Sequence, residues 1–442
     1  MTEPSNTAAG AHSGAGGFAY RLLRRVMDVR PEEVSALAWS WLYIFSVLSA
    51  YYIMRPIRDQ MGVAGGVGNL QWLFLGTLAG MLILNVPFAY LVKTLPRTRF
   101  IPITYRFFAF NILLFALVLN WADSEQTVWI GRAFFIWISV FNLFVVSVFW
   151  ALIVDLFSSE QGKRLFGFIA AGATIGAIVG SGITASLARY VPVAVLLIGS
   201  VALLEVAVWS VRRLSRLAPA LHAPKASAAD RPVGGSLFAG ITHPFKSAYL
   251  ANVSLFMLLF TITATFLYFQ QAGIVSRSFQ DRGEQTAFFA TVDLLVNSLT
   301  LIIQLFLTGR ILRILGVGLT LALLPAICLF GFGALALAPT IAAIVAFQVL
   351  RRSSDYAIAR PTREVLYTVV AREDRYKAKN FIDTVVYRTG DQIGAWSYAL
   401  LGMVGLGTAG IALVAIPLSA IWLANALWLG RRQEAMAVKT AK

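Results

Sequence analysis

Runs of about twenty apolar residues, separated by short polar stretches, fill most of the chain. They place helical spans at 36–54, 70–92, 102–120, 128–153, 165–187, 191–211, 249–273, 286–308, 317–337, 340–366, 379–402 and 407–429. About 20 residues at a rise of 1.5 Å each suffice to cross a ~30 Å hydrocarbon core. The pattern therefore predicts an all-α integral membrane protein with twelve transmembrane helices. The tenth span differs from the others. It is long, carries charges and is interrupted by Pro361.

Composition agrees with the pattern and removes most soluble function classes. Of 442 residues, 58% are hydrophobic and only 13% charged. Globular proteins usually have about 45–50% and ~25%. The single cysteine, Cys328, lies inside an apolar block, which excludes a disulfide framework and a cysteine-based metal site. His12, His222 and His243 lie outside the apolar blocks, so no histidine base or Ser-His-Asp triad is expected in the membrane. With no His or Cys cluster, a membrane enzyme is not expected and neither is a cofactor. Residues 1–17 are small and polar, and the first apolar block is followed by Arg55, so no cleaved signal is expected.

Charge gives the orientation. Lys plus Arg is 37 and Asp plus Glu is 21, a net charge of +16. In a soluble chain this would point to nucleic acid. Here the basic residues gather in alternate loops, including Arg24, Arg25, Lys93, Arg97, Arg212, Arg213, Arg310, Arg431 and Arg432. Basic loops face the cytoplasm. Both termini are thus expected there, in a bacterial inner membrane, with lipid rather than a nucleic acid polymer as the surroundings.

The stretch from Arg212 to about Lys246 is rich in Ala, Pro and Arg and has no apolar period. It reads as a flexible linker. The expected layout is a tail (1–33), a six-helix half (34–211), the linker (212–246), a second six-helix half (247–430) and a tail (431–442). Two parallel six-helix halves make the major-facilitator arrangement. A weak internal repeat supports it: Glu160 to Ile169 and Glu373 to Ile382 match at four of ten positions with one offset. Gly172, Gly176 and Gly180, and again Gly390 and Gly394, form small ridges suited to close helix packing. Gly62 to Gly68 lacks the Gly-Lys-Ser/Thr ending of a phosphate loop and reads as a flexible outer loop. Trp39, Trp41, Tyr43, Trp121, Trp129, Trp422 and Trp428 are expected at membrane interfaces.

A charge at the bilayer centre costs at least ~2.5–3.5 kcal/mol, so each needs a partner or a purpose. Ten basic residues near or within spans (Arg55, Arg58, Arg106, Arg132, Arg351, Arg352, Arg360, Arg363, Lys379, Arg388) stand against seven acids (Asp59, Glu205, Asp293, Asp355, Glu364, Asp383, Asp391). Lys379 with Asp383, and Arg388 with Asp391, are spaced to pair along one helix. Arg132 and Lys379 lie near span ends and can snorkel. The surplus is positive, and a positive cavity selects an anion; arginine forks suit phosphate. Candidate substrate contacts are Arg55, Arg58, Arg351, Arg352, Arg360, Arg363, Lys379 and Arg388. Glu160, Glu284, Asp293 and Asp383 are candidates for proton coupling. The expected partner is a small anion, a nucleotide or a phosphorylated metabolite; the sequence gives no oligomeric state, and a monomer suffices. The alternative is a proton-coupled transporter of another small solute.

The segment Ser354-Asp355-Tyr356-Ala357-Ile358-Ala359-Arg360-Pro361-Thr362-Arg363-Glu364-Val365-Leu366-Tyr367 resembles the Pro-Thr-Lys-Glu…Tyr stretch of the ATP:ADP antiporter family. Met54-Arg55-Pro56-Ile57-Arg58-Asp59, Glu160 through Gly167, and Lys379-Asn380-Phe381-Ile382-Asp383 resemble further family segments in the same order. The resemblance implies nucleotide exchange on a distant major-facilitator fold. It also implies phosphate contacts for Arg58 and Lys379, and charge balance or gating for Glu160 and Glu284. Arg58 stands where the family has lysine, and Pro56 where it has an acid. Another phosphorylated or carboxylated anion therefore stays open as substrate.

Overall fold

The computed structural model describes residues 29–221, 247–370 and 378–440. It is helical throughout. Six helices come first: α1 (Val34–Ala64), α2 (Leu70–Thr94), α3 (Arg97–Trp121), α4 (Ser124–Leu156), α5 (Ser159–Leu187) and α6 (Val193–Leu221). After the undescribed 222–246 come α7 (Ala248–Ser278), α8 (Arg282–Phe306), α9 (Thr308–Leu337) and α10 (Ile341–Ser354). A π-helical turn (Asp355–Ala359) joins α10 to α11 (Arg360–Leu366). A second π turn (Ile382–Val386) leads into α12 (Tyr387–Met403), and α13 (Thr408–Thr440) closes the chain.

Every predicted span falls on helix. Among the described residues, ten helices are long and apolar enough to cross a membrane: α1 to α9 and α13. The tenth and eleventh spans are absent from this set because the π turns divide them and their charges break the apolar run. The helix starts carry sequence-encoded caps. The side chains of Asp123, Ser158, Asp281 and Thr340 accept bonds from the backbone N–H groups of Gln126, Gln161, Glu284 and Ala343. Gly316 sits at φ 69° inside α9, a conformation costly for other residues. The kink there separates a basic first segment from the apolar crossing, which starts at Val317 as the sequence indicated.

Two large apolar cores form. One draws on α1 to α6, with Ala287 as its sole member from beyond α6. The other is built entirely from Tyr249 to Leu429. A smaller cluster joins them: Val63, Leu70, Leu73 and Phe135 meet Phe269, Ala272, Val275, Phe289 and Ala395. It lies where α1 ends and α8 begins.

The glycine ridges seat each core. A Cβ on Gly176 of α5 would stand 2.5 Å from the Phe45 carbonyl oxygen of α1, and Ser49 Oγ donates to the Gly176 carbonyl at 3.0 Å. On α12, a Cβ on Gly394 would stand 2.9 Å from Thr265 Cβ of α7. These positions bring the backbones together, as expected of small residues.

Three sequence readings change. The helix α6 runs to Leu221, ten residues into the stretch read as linker, whose remainder (222–246) lies outside the described residues. The glycine-rich 62–68 segment is mostly ordered helix: α1 continues to Ala64 and Val67–Asn69 is a 3₁₀ turn. Tyr43 and Trp422 are fully buried core residues, because their rings fill the two cores against Phe149 and Phe256. Trp121 and Trp129 are exposed, as interface residues are. Half of the second copy of the weak repeat, 373–377, lies outside the described residues.

Candidate functional site

A cavity of about 300 Å³ lies between the two cores. The end of α1 brings Tyr51, Arg55, Arg58 and Asp59 to it. The helices α2 and α4 add Thr77, Phe135, Ser139 and Asn142. The later part of the chain adds Tyr268 and Gln271 from α7, Asp293 from α8, Gln348, Arg351 and Arg352 from α10, Asp355 and Tyr356 from the π turn, Arg360 from α11, and Arg388 and Asp391 from α12. Six arginines therefore face four aspartates, an excess of two positive charges.

The arginines are held in fixed ways. Asp293 Oδ1 takes Arg352 Nη1 at 2.6 Å and Arg55 Nη1 at 3.2 Å, so one carboxylate serves two guanidiniums. Asp293 is 2% exposed, and its other oxygen has no hydrogen-bond partner. Arg58 bonds its neighbour Asp59 through Nε and Nη2 and lies 5.0 Å from the Phe135 ring centre. Tyr268 Oη donates to the same Asp59 oxygen at 3.0 Å. Arg360 meets Asp355 at 3.2 Å and stacks on Tyr356, and Arg388 meets Asp391 at 3.2 Å. Arg351 is 5% exposed and has no carboxylate partner among the described residues. It donates to the Phe260 carbonyl at 3.4 Å and lies over the Phe260 ring.

The break in the tenth span has a local cause. Pro361 has no N–H for the carbonyls one turn behind it. Those carbonyls are taken up from α9 and α8: Thr308 Oγ1 donates to the Ala357 oxygen at 2.8 Å, and Gln304 Nε2 to the Tyr356 oxygen at 3.4 Å. Broken backbone at membrane depth is tolerated where it borders a polar cavity and its groups find partners. π turns recur at such places.

Of the eight residues expected to contact substrate, the structure gathers six: Arg55, Arg58, Arg351, Arg352, Arg360 and Arg388. Arg363 and Lys379 do not line the cavity. Arg363 faces Asp383 at 3.9 Å, and Lys379 Nζ lies 2.6 Å from Glu364 Oε2. The expected pair of Lys379 with Asp383 is thus replaced by pairs with α11, which places Glu364 beside Lys379 and Arg363 beside Asp383. The expected pair of Arg388 with Asp391 is present. Of the four acids, Asp293 lines the cavity. Glu160 is exposed and 3.8 Å from Arg30; Glu284 is half-buried in the first turn of α8, outside the cavity lining; Asp383 stays with Arg363. Sequence reasoning passed over Tyr268, Gln271, Gln348 and Tyr356. Polar residues at helical spacing inside an apolar span were the available signal.

Three of the polar contacts between the cores sit in the last third of α1: Arg55 with Asp293, Asp59 with Tyr268, and Gln60 Nε2 with Gln285 Oε1 at 3.5 Å. Together with the joining apolar cluster, they close one mouth of the cavity, on the side of the α1–α2 and α7–α8 connections.

Comparison with known proteins fits this geometry. No protein-family model matches the chain. Among curated proteins it is 22% identical over 345 residues to ADP,ATP carrier protein 1 of Chlamydia muridarum, across 69% of this chain. This chain is a distant relative of a nucleotide carrier. It spans 65% of that relative's length. Solved transporters share the fold. A bacterial homologue of the iron transporter ferroportin, in an inward-facing state, superimposes with a TM-score of 0.63 at 12% identity over 91% of this chain and 98% of its own. The nucleoside transporter NupG gives 0.55 at 14% identity over 92% and 98%. A bacterial homologue of the lysosomal transporter Spinster, inward-facing and unoccupied, gives 0.56 at 12% identity over 91% and 98%. The chain is a multi-pass membrane protein with the fold of major-facilitator-type secondary transporters.

Proposed function

We propose that this protein exchanges nucleotides or other phosphate-bearing anions across the bacterial inner membrane by alternating access. The observation that carries this reading is the cavity between the two cores, whose six arginines outnumber its four aspartates. The excess of two matches a phosphate dianion, and arginine forks bind phosphate oxygens bidentately. The distant likeness to an ADP,ATP carrier favours a nucleotide among such anions.

The working unit is twelve membrane-crossing helices in two six-helix halves, with both termini cytoplasmic. Two separate cores support the halves. So does the repeated seating of a glycine-bearing fifth helix on a first: α5 on α1, and α12 on α7. The bias of Lys and Arg supports the orientation. Rocking of the halves about the cavity would break the contacts at the end of α1 and open that mouth. Asp293 is the internal counter-ion that a substrate phosphate must compete with for Arg55 and Arg352.

The test is uptake of labelled ATP into proteoliposomes preloaded with ADP, beside empty vesicles and vesicles under a pH gradient alone. Uptake that needs internal ADP is the expected result. Equal uptake into empty vesicles, or accumulation driven by the pH gradient alone, would overturn exchange and favour a proton-coupled carrier.

A further inference from the structure

An ion pair sits on the outer surface of the bundle, away from the cavity. Arg106 of α3 reaches Glu205 of α6 through Nε at 3.2 Å and Nη2 at 3.1 Å. Both side chains are about half exposed, at 49% and 46%. Glu205 lies twelve residues into the membrane-crossing part of α6 (Val193–Leu217), about 18 Å along its axis. Arg106 lies seven residues after Arg99, about 10 Å into α3. The pair is therefore deep in the membrane. Around it the exposed side chains are Ile103, Phe107, Phe110, Ile198 and Trp209, a surface suited to hydrocarbon.

A solitary pair is a poor fit to that setting. Of the five guanidinium N–H groups, three remain after the two bonds to Glu205, and each Glu205 oxygen keeps a free lone pair. Lipid tails cannot satisfy them, and polar groups in hydrocarbon are costly when unsatisfied. The same face also has room for a close neighbour. Gly199 and Ala202 precede Glu205 on the exposed side of α6, and a Cβ on Gly199 would meet nothing within 4 Å. Small residues at such positions allow another helix to come near.

We propose that this face is the contact of a homodimer in the membrane. The occupant is a second copy because the charge pattern is complementary to itself. A two-fold axis beside the pair sets Arg106 against Glu205 of the partner subunit and Glu205 against Arg106 of the partner subunit. The four groups form a closed ring in which the spare N–H groups and lone pairs are used.

The experiment measures energy transfer between donor- and acceptor-tagged full-length chains in vesicles at low protein density. The native chain is expected to pair. Arg106→Glu alone and Glu205→Arg alone are each expected to weaken pairing on the order of tenfold or more. Mixing the two variants is expected to restore it, because an all-acidic face then meets an all-basic one. Either variant alone also loses its intrachain pair, so Ala202→Trp provides a second arm. That side chain is exposed, leaves the ion pair intact and blocks close approach, so pairing is expected to fall with an unchanged thermal unfolding curve. Absence of transfer in the native chain, indifference to Ala202→Trp, or failure of the mixture to recover would overturn the dimer.

Discussion

Arg352 and Arg55 share one oxygen of Asp293, at 2.6 and 3.2 Å, although they come from the two ends of the chain's packing. The shared carboxylate gives the cavity both its remaining charge and a link between the cores. Asp293→Asn leaves two guanidiniums without their counter-ion. Loss of one partner in a buried ion pair costs about 3–5 kcal/mol, so thermal unfolding is expected at a lower temperature. Among folded molecules the cavity excess rises by one charge. Inhibition of transport by a series of mono-, di- and triphosphate esters is then expected to shift toward the more highly charged members. An unchanged ranking would remove Asp293 from anion selection.

Arg351 is buried and carries the cavity charge that no carboxylate answers among the described residues. Arg351→Gln keeps a donor and removes the charge. A hydrogen bond to a charged group contributes about 1.5–3 kcal/mol, so KM is expected to rise roughly ten- to hundred-fold. Steady-state exchange kinetics check this. A fall in kcat at constant KM would place Arg351 in the helix packing rather than at the substrate.

Thr308 and Pro361 are coupled through the Ala357 carbonyl. Thr308→Val strips that oxygen of its donor and is expected to destabilise by about 1–3 kcal/mol. Pro361→Ala restores a backbone N–H nearby, so the same Thr308→Val change in that background is expected to cost much less. A double-mutant cycle of unfolding free energies reads the difference. Additive effects would dissociate the hydroxyl from the break.

Lys379 and Glu364 lie 2.6 Å apart outside the cavity. Lys379→Glu and Glu364→Lys are each expected to impair transport, and the charge-swapped double variant to recover most of it. Failure to recover, with KM raised only in the lysine variant, would return Lys379 to the role that the family resemblance implies.

The helices were legible because each apolar run must bury or meet lipid over a whole crossing, and that requirement is written locally. The six cavity arginines were legible for the same reason: charge in a span stands out. The pairings were not. Arg55 and Asp293 lie on helices far apart in sequence, and nothing near either residue names the other. Tyr43 and Trp422 show the same limit, since an aromatic near a span end reads as interfacial until the packing against Phe149 or Phe256 is known. Arg363 and Lys379 carry the same span-borne charge signal, but their partners, Asp383 and Glu364, lie on other segments that the local sequence does not name, so their place outside the cavity lining was not legible.

The turn at Asp355–Ala359 acts as a phase shift in the cavity wall. In an unbroken α-helix, advancing about 100° per residue, the position seven after Arg352 would nearly share its bearing, and Arg360, one residue later, would point about 80° away from it. A π turn spends one extra residue and lets Arg360 arrive where that seventh position would have been. Closing that turn as regular α-helix at full length would leave the composition of the wall intact and turn Arg360, with all that follows in α11, off its bearing.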